Sequence, residues 1–172
     1  EIRPTHVINT SAFHVMGECE KNPDKAFAVN ALGPRNLATA CNEFNSRLVH
    51  ISTDYVFDGK KGSPYIESDR PNPLSVYGAS KLAGESFVYN NGGTVVRVSG
   101  LFGKYKCRAK QFNFPQLMIQ KAKEGALNVV DDEFVTPTYT FNLVLQLDKL
   151  IKYDYTGLVH VTNKNPISWY EF

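Results

Sequence analysis

Four apolar runs constrain the fold most: residues 5–9 (Thr-His-Val-Ile-Asn), 47–52 (Arg-Leu-Val-His-Ile-Ser), 94–99 (Thr-Val-Val-Arg-Val-Ser) and 157–162 (Gly-Leu-Val-His-Val-Thr). They are continuous rather than alternating, which is the pattern of strands covered on both faces. Helix-like sequence separates them. Residues 22–44 open with Asn22 as a candidate cap, Pro23 at the first helical position and Asp24 at the dipole's positive end. Gly33-Pro34 inside that stretch predicts a kink. Further helices are predicted over 75–89, stopped by Asn91-Gly92-Gly93, over 114–123, ended by Gly125, and over 140–152. A fifth short strand is expected at 127–130, and 58–73 reads as a turn-rich loop. Such alternation predicts an α/β fold with a doubly wound parallel sheet. Ligands of such sheets bind at the carboxyl ends of the strands, which directs attention to 10–17, 52–58 and 99–103.

Composition excludes several partners. A net charge of +2 over 172 residues, with both signs dispersed, argues against nucleic acid and against an anionic membrane surface. No apolar run approaches the roughly 18–20 residues that span a bilayer. Cys19, Cys41 and Cys107 are odd in number, widely spaced and without a Cys-x-x-Cys, so reduced thiols in the cytoplasm are expected. The four histidines lack metal-ligand spacing, and His6, His50 and His160 read as structural residues in or beside strands. Asn9-Thr10-Ser11 fits a glycosylation pattern, but it ends an expected buried strand and is read as chance. Asp131-Asp132-Glu133 reads as a solvated acidic turn. The chain opens next to a strand and stops at 168–172, which look like a helix's first turn, so it is expected to be an internal piece of a longer protein.

The chemistry-bearing feature is Tyr77-Gly78-Ala79-Ser80-Lys81. Residues four apart share a helical face. An ammonium beside a phenol would pull the phenol down from about 10 towards neutrality and make it a usable acid or base. Upstream, Ser52-Thr53-Asp54-Tyr55 stands at the end of an apolar strand, where the Thr53 hydroxyl can meet a substrate oxygen beside Tyr77.

These segments resemble the extended short-chain dehydrogenase/reductases and, within them, the dTDP-4-dehydrorhamnose reductases. The resemblance rests on 52–59 (Ser-Thr-Asp-Tyr-Val-Phe-Asp-Gly) and 73–85 (Pro-Leu-Ser-Val-Tyr-Gly-Ala-Ser-Lys-Leu-Ala-Gly-Glu). Two further blocks join them: 29–37 (Val-Asn-Ala-Leu-Gly-Pro-Arg-Asn-Leu) and 130–140 (Val-Asp-Asp-Glu-Phe-Val-Thr-Pro-Thr-Tyr-Thr). It implies a partial Rossmann-like fold, with residues 1–103 as part of the dinucleotide-binding domain and 104–172 contributing to a small substrate-binding lobe. It also implies reduction of the 4-keto group of dTDP-4-dehydro-L-rhamnose with NADPH or NADH. Tyr77 would give a proton to the sugar oxygen, Lys81 would hold the nicotinamide ribose, and Thr53 would bind the same sugar oxygen. Thr10, Ser11, Ala12 and Asn30, with Tyr77 and Lys81, would lie on the cofactor side. Asp54, Tyr55, Gly100, Thr136 and Pro137, with Thr53, would line the sugar or nucleotide pocket. The resemblance admits a homodimer. Some members use Mg²⁺, which nothing in this sequence supports.

Departures are specific. Gly17 replaces an acid after the first strand, and Gly100 stands where several members carry Trp. The family's glycine-rich pyrophosphate turn would precede Glu1, so this chain by itself is expected to bind dinucleotide poorly. Sugar-nucleotide 4,6-dehydratases place Glu after the Asp, where this chain has Tyr55; epimerases of the group carry small residues there. The regulatory subunit of methionine adenosyltransferase resembles the same blocks and stands as a non-catalytic alternative.

Overall fold

The computed structural model describes residues 2–107 and 109–172. In chain order the first elements are β1 (His6–Asn9), α1 (Met16–Lys21), α2 (Pro23–Phe27), a π-helical turn (Ala28–Leu32), α3 (Gly33–Glu43) and β2 (Arg47–Thr53). A 3₁₀ turn (Asp54–Val56), α4 (Val76–Asn90), β3 (Thr94–Val98), β4 (Leu101–Phe102) and α5 (Phe114–Ala122) follow. The last are β5 (Phe134–Val135), β6 (Thr138–Tyr139), α6 (Thr140–Lys152), β7 (Gly157–His160) and β8 (Ile167–Ser168). Two compact units result, Glu1–Val98 with Leu150–His160, and Ser99–Lys149 with Val161–Phe172.

The first unit is built on a parallel sheet of order β1-β2-β3-β7, so the α/β class and parallel sheet expected from the apolar runs are present. β3 is buried at every position, as a central strand must be when helices cover both faces. Ala38, Cys41, Leu48, Val88 and Val95 form the core, with Val7, Leu37 and Leu158 packed against it. Each fully buried Val contributes roughly 1.5–3 kcal/mol.

The kink at Gly33-Pro34 takes the form of the π turn between α2 and α3. Pro34 has no N–H to give the Asn30 carbonyl one helical turn back. That carbonyl instead lies against Gly84 of α4, where a Cβ would collide with it. Gly78 serves the same purpose against the Tyr55 carbonyl. Two glycines thus bring α4 onto the π turn and the 3₁₀ turn. Ser75 caps α4, its Oγ accepting the Gly78 N–H at 3.1 Å.

Asn22 does not cap α2. Its amide donates to the Glu18 carbonyl at 3.0 Å and closes the preceding α1. The loop over 58–73 is tied rather than free. Asp58 accepts from the Lys60 N–H, the Tyr65 hydroxyl and the Asn72 amide at 2.7–3.0 Å, while Phe57 stacks on Tyr65 at 4.2 Å. Glu67 accepts the His160 N–H at 2.8 Å, fixing the loop to β7.

In the second unit β4 pairs parallel with β6, and β5 pairs antiparallel with β8. α5 carries a capping box between Asn113 and Gln116. Phe102, Phe114, Trp169 and Phe172 pack as an aromatic cluster, with centroids 4.5–6.3 Å apart. The strand expected at 127–130 is absent. The strand forms at Phe134–Val135 instead, because the partner Ile167–Ser168 lies opposite it, while Val130 receives a single bond from the Tyr170 N–H. Ser168 and Glu171 bond reciprocally, as in a helix-opening capping box.

Candidate active site

The carboxyl end of β2 presents Thr53. Its Oγ1 accepts the Tyr55 N–H at 3.2 Å and donates to Asp54 Oδ1 at 3.0 Å, turning the chain into the 3₁₀ turn. The Thr53 hydroxyl is also the hydrogen-bonding neighbour of the Tyr77 phenol. Tyr55 meets the Tyr77 ring edge-on, with centroids 5.8 Å apart. Thr53, Asp54, Tyr55 and Tyr77 are therefore brought together in one place, with Thr53 beside Tyr77 as the strand end and helix start predict.

Lys81 lies on the same helix face but does not act on the phenol. Its Nζ donates to the Ile51 carbonyl at 2.6 Å and sits 3.1 Å from His50 Nε2. Only 1 % of the residue is exposed. Burial lowers the amine from its ordinary 10.5 to about 8, with Glu85 pulling the other way. Tyr77 is pushed up to about 12, chiefly by burial and further by Asp54, while Thr53 pulls it down. The depressed phenol expected from the Tyr-x-x-x-Lys spacing is therefore corrected. The buried lysine is engaged by a backbone carbonyl and an imidazole, and the phenol keeps its proton at neutral pH.

Asn30 is fully buried on the π turn. Its Oδ1 accepts the Phe13 N–H and its Nδ2 donates to the Phe13 carbonyl, both at 2.8 Å. Nδ2 also lies 3.0 Å from Ser80 Oγ, and that hydroxyl donates to the Tyr77 carbonyl at 2.8 Å. One side chain thus fastens the segment after β1 to the first turns of α4. Thr10 and Ser11 are exposed at the end of β1 and Ala12 is half-buried. Ser11 is held by Asn9 Oδ1, through its N–H at 3.0 Å and its hydroxyl at 2.6 Å.

Gly100, Thr136 and Pro137 meet one another in the second unit. Gly100 has φ +50°, and a Cβ there would stand 3.2 Å from Pro137 Cα. Its carbonyl accepts the Thr138 N–H at 3.1 Å, and Ser99 Oγ accepts the Thr136 N–H at 3.3 Å. A Trp at position 100 would be strained in this backbone conformation.

Sequence reasoning missed two buried polar groups. Asn9 Nδ2 bonds His50 Nδ1 at 3.0 Å, linking β1 through β2 to Lys81. Below Thr53, the Ser52 hydroxyl donates to Glu85 at 2.5 Å, and Arg97 grips the same carboxylate with three bonds of 2.7–3.2 Å. The available signals were a His in the middle of one apolar strand and an Arg in the middle of the next. Among the described residues no group of three or more His, Cys, Asp or Glu could hold a metal ion, and no helix is long and apolar enough to cross a membrane.

The residues present fit the nicotinamide-ribose half of a dinucleotide. Lys81 has three positions on Nζ and uses two, leaving one for a hydroxyl, and the residues after β1 are small.

A dTDP-4-keto-6-deoxy-D-glucose reductase of Streptomyces niveus is 37% identical over 98% of this chain and 58% of its own length. A dTDP-4-dehydrorhamnose reductase of Escherichia coli is 34% identical over 99% of this chain and 58% of its own length. The crystal structure of a Bacillus anthracis dTDP-4-dehydrorhamnose reductase in complex with NADP superposes with a TM-score of 0.91. It is 40% identical and is covered by 99% of this chain over 60% of its own. Bordetella bronchiseptica WbmG, solved with NAD and UDP, shares the fold at 19% identity and a TM-score of 0.83. The chain spans about 60% of the length of these reductases. The RmlD substrate binding domain family matches residues 1–172, and the chain belongs to that family.

Proposed function

We propose that the whole protein, of which this chain carries the catalytic tyrosine, reduces the 4-keto group of a dTDP-linked 6-deoxysugar to an alcohol, with dTDP-4-dehydro-L-rhamnose as substrate and dTDP-L-rhamnose as product. The observation that carries this reading is a phenol held protonated beside a strand-end hydroxyl: Tyr77, pushed up to about 12, next to Thr53. A carbonyl that accepts a hydride becomes an alkoxide and needs one proton. A phenol that stays neutral at pH 7 is ready to give it, and Thr53 stabilises the phenolate left behind. Bound NADPH or NADH supplies the hydride. Lys81, with Thr10, Ser11, Ala12 and Asn30, would hold that cofactor. Lys81 offers its remaining Nζ position to a ribose hydroxyl, and Asn30 keeps the segment after β1 against α4.

In this reading 1–103 carry the cofactor and proton-transfer machinery and 104–172 contribute to a substrate lobe; Asp54 and Tyr55 in the first unit, and Gly100, Thr136 and Pro137 in the second, are each assigned to sugar or nucleotide contacts. Tyr55 after Asp54 favours simple reduction over dehydration, since a protonated phenol, unlike a carboxylate, is no base for a sugar C–H. Cys19, Cys41 and Cys107, widely spaced and without a Cys-x-x-Cys, support a cytoplasmic enzyme, and a homodimer belongs to the same proposal. The name of the Streptomyces niveus relative favours one second reading, in which the sugar is dTDP-4-keto-6-deoxy-D-glucose.

The test is NAD(P)H oxidation by the whole protein, given each of the two dTDP-4-keto sugars in turn. Turnover with dTDP-4-dehydro-L-rhamnose is expected. Turnover with the gluco sugar alone would replace the substrate and keep the reaction. A folded protein that binds NADPH and turns over neither would overturn the reading in favour of a binding subunit.

A further inference from the structure

The loop that leaves the 3₁₀ turn returns to the start of α4, and one side-chain pair closes it. Asp58 follows the turn; Asn72 precedes Pro73 and the α4 cap Ser75. Asp58 Oδ1 is committed inside the loop, to the Lys60 N–H at 3.0 Å and the Tyr65 hydroxyl at 2.7 Å. Tyr65 is itself fixed, its oxygen accepting the Lys61 N–H at 3.2 Å and its ring stacked on Phe57. The carboxylate is thereby oriented, and Oδ2 faces Asn72, whose Nδ2 donates to it at 2.9 Å. Asn72 also gives its backbone N–H to the Val56 carbonyl at 2.9 Å. Val56 ends the 3₁₀ turn and is fully buried.

The closed loop delivers Pro73 to α4. The Pro73 Cβ lies 3.0 Å from the place a Cβ would occupy on Gly78, and the same place would strike the Tyr55 carbonyl. The 3₁₀ turn and the end of the loop thus share one seat, on the residue after Tyr77. We propose that Asp58 and Asn72 are positioning residues, a clasp that seats the 3₁₀ turn on α4 and so keeps Thr53 and Tyr55 in place beside Tyr77. Without the clasp, the Val56–Asn72 backbone bond closes the loop by itself, at a residue exposed to competing water. A single 3₁₀ turn has little stability of its own. It then slackens on its seat, and the distance from proton donor to acceptor is what a rate follows most steeply. The consequence for turnover rests on the proposed reductase reading; the clasp itself does not.

The experiment exchanges donor and acceptor. Asn72→Asp sets one carboxylate against another and opens the clasp. Adding Asp58→Asn remakes it in reverse, because the amide at position 58 keeps its oxygen on the Lys60 and Tyr65 donors and turns its NH₂ to position 72. Hydrogen–deuterium exchange of the whole protein, free of ligands, is read first. In Asn72→Asp the amides of Tyr55 and Phe57 should exchange at least about tenfold faster than in the wild type, with those of β3 unchanged, and the double variant should restore them. Unchanged exchange at Tyr55 and Phe57 in a folded Asn72→Asp protein would overturn the clasp whatever the protein catalyses. So would faster exchange that spreads equally to β3, or that the double variant fails to reverse. Turnover is read second, with NADPH and whichever of the two dTDP-4-keto sugars the wild type reduces. In Asn72→Asp kcat should fall roughly 10–100-fold while the dissociation constant for NADPH stays within a factor of about two, and the double variant should recover kcat. Wild-type kcat in a protein whose turn has loosened would refute the positioning role. If the wild type reduces neither sugar, the reductase reading fails and exchange still decides the clasp. Should Asn72→Asp fail to fold, Asn72→Ala, which only removes the amide, takes its place with the same expected changes in exchange and kcat.

Discussion

Two buried cationic side chains lie within the same unit and keep their charge differently. Arg97 of β3 meets the Glu85 carboxylate through two guanidinium nitrogens, with Ser52 filling a further acceptor site and Phe57 lying 5.0 Å beneath the guanidinium. Lys81 of α4 has a backbone carbonyl and an imidazole instead. Both are almost wholly removed from water. Only the lysine lacks a carboxylate in contact, and its amine falls to about 8. Burial by itself therefore does not make a functional group; burial without a matched counter-charge does, because it leaves a proton that small local changes can move. The Arg97 cluster fixes the end of β2 beneath Thr53, and the Lys81 cluster retains the chemical freedom.

The comparison breaks most visibly if the matched pair is unmatched. Glu85→Gln leaves the Arg97 charge buried and should destabilise the protein by roughly 3–5 kcal/mol, measured by urea unfolding. A loss under 1 kcal/mol would mean that Arg97 reaches water and that the two clusters do not differ as described. Next in size is a pH dependence. Lys81 binds its proton less tightly folded than unfolded, so stability should rise between pH 8 and 10.5, by roughly 3 kcal/mol in total. Lys81→Met should lack that rise, and urea midpoints of both proteins across this range provide the check. Tyr77 works in the opposite direction at higher pH, since its raised value removes stability between 10 and 12. His50 adds an acid limb. It falls from 6.5 to about 3 through burial and the neighbouring Lys81, so stability is lost as pH drops through that interval, and His50→Gln should flatten it. The smallest effect is Ser52→Ala, which removes one bond to a carboxylate that keeps its arginine, at a loss of about 1–2 kcal/mol.

The parts of the fold set by local pattern were legible. β2, β3 and β7 lie where the apolar runs put them, and α4 starts at Ser75 because serine is a good cap and the pattern after it is helical. The parts decided by distant partners were not. Leu127–Val130 has a strand's composition, but Phe134–Val135 has the partner, 33 residues on at Ile167–Ser168 in the paired register. Asn22 suits a cap, but a second helix ended just before it and took its amide. The site divides in the same way. Thr53, Tyr77 and Lys81 stand in a spacing that a helix and a strand end convert directly into proximity. The proton affinities of Tyr77 and Lys81 are set chiefly by burial, with Thr53 and Asp54 acting on the phenol and Glu85 on the amine, and the packing that buries them is encoded by no local spacing.

The central claim is that Tyr77 donates the proton, and Tyr77→Phe in the whole protein tests it most directly. With the keto sugar and NADPH, kcat should fall by roughly 10²–10⁴, while the dissociation constant for NADPH stays within a factor of about two, because the ring remains and only the hydroxyl beside Thr53 is lost. A folded variant that keeps wild-type kcat would contradict the account and move the proton to another group at the end of β2.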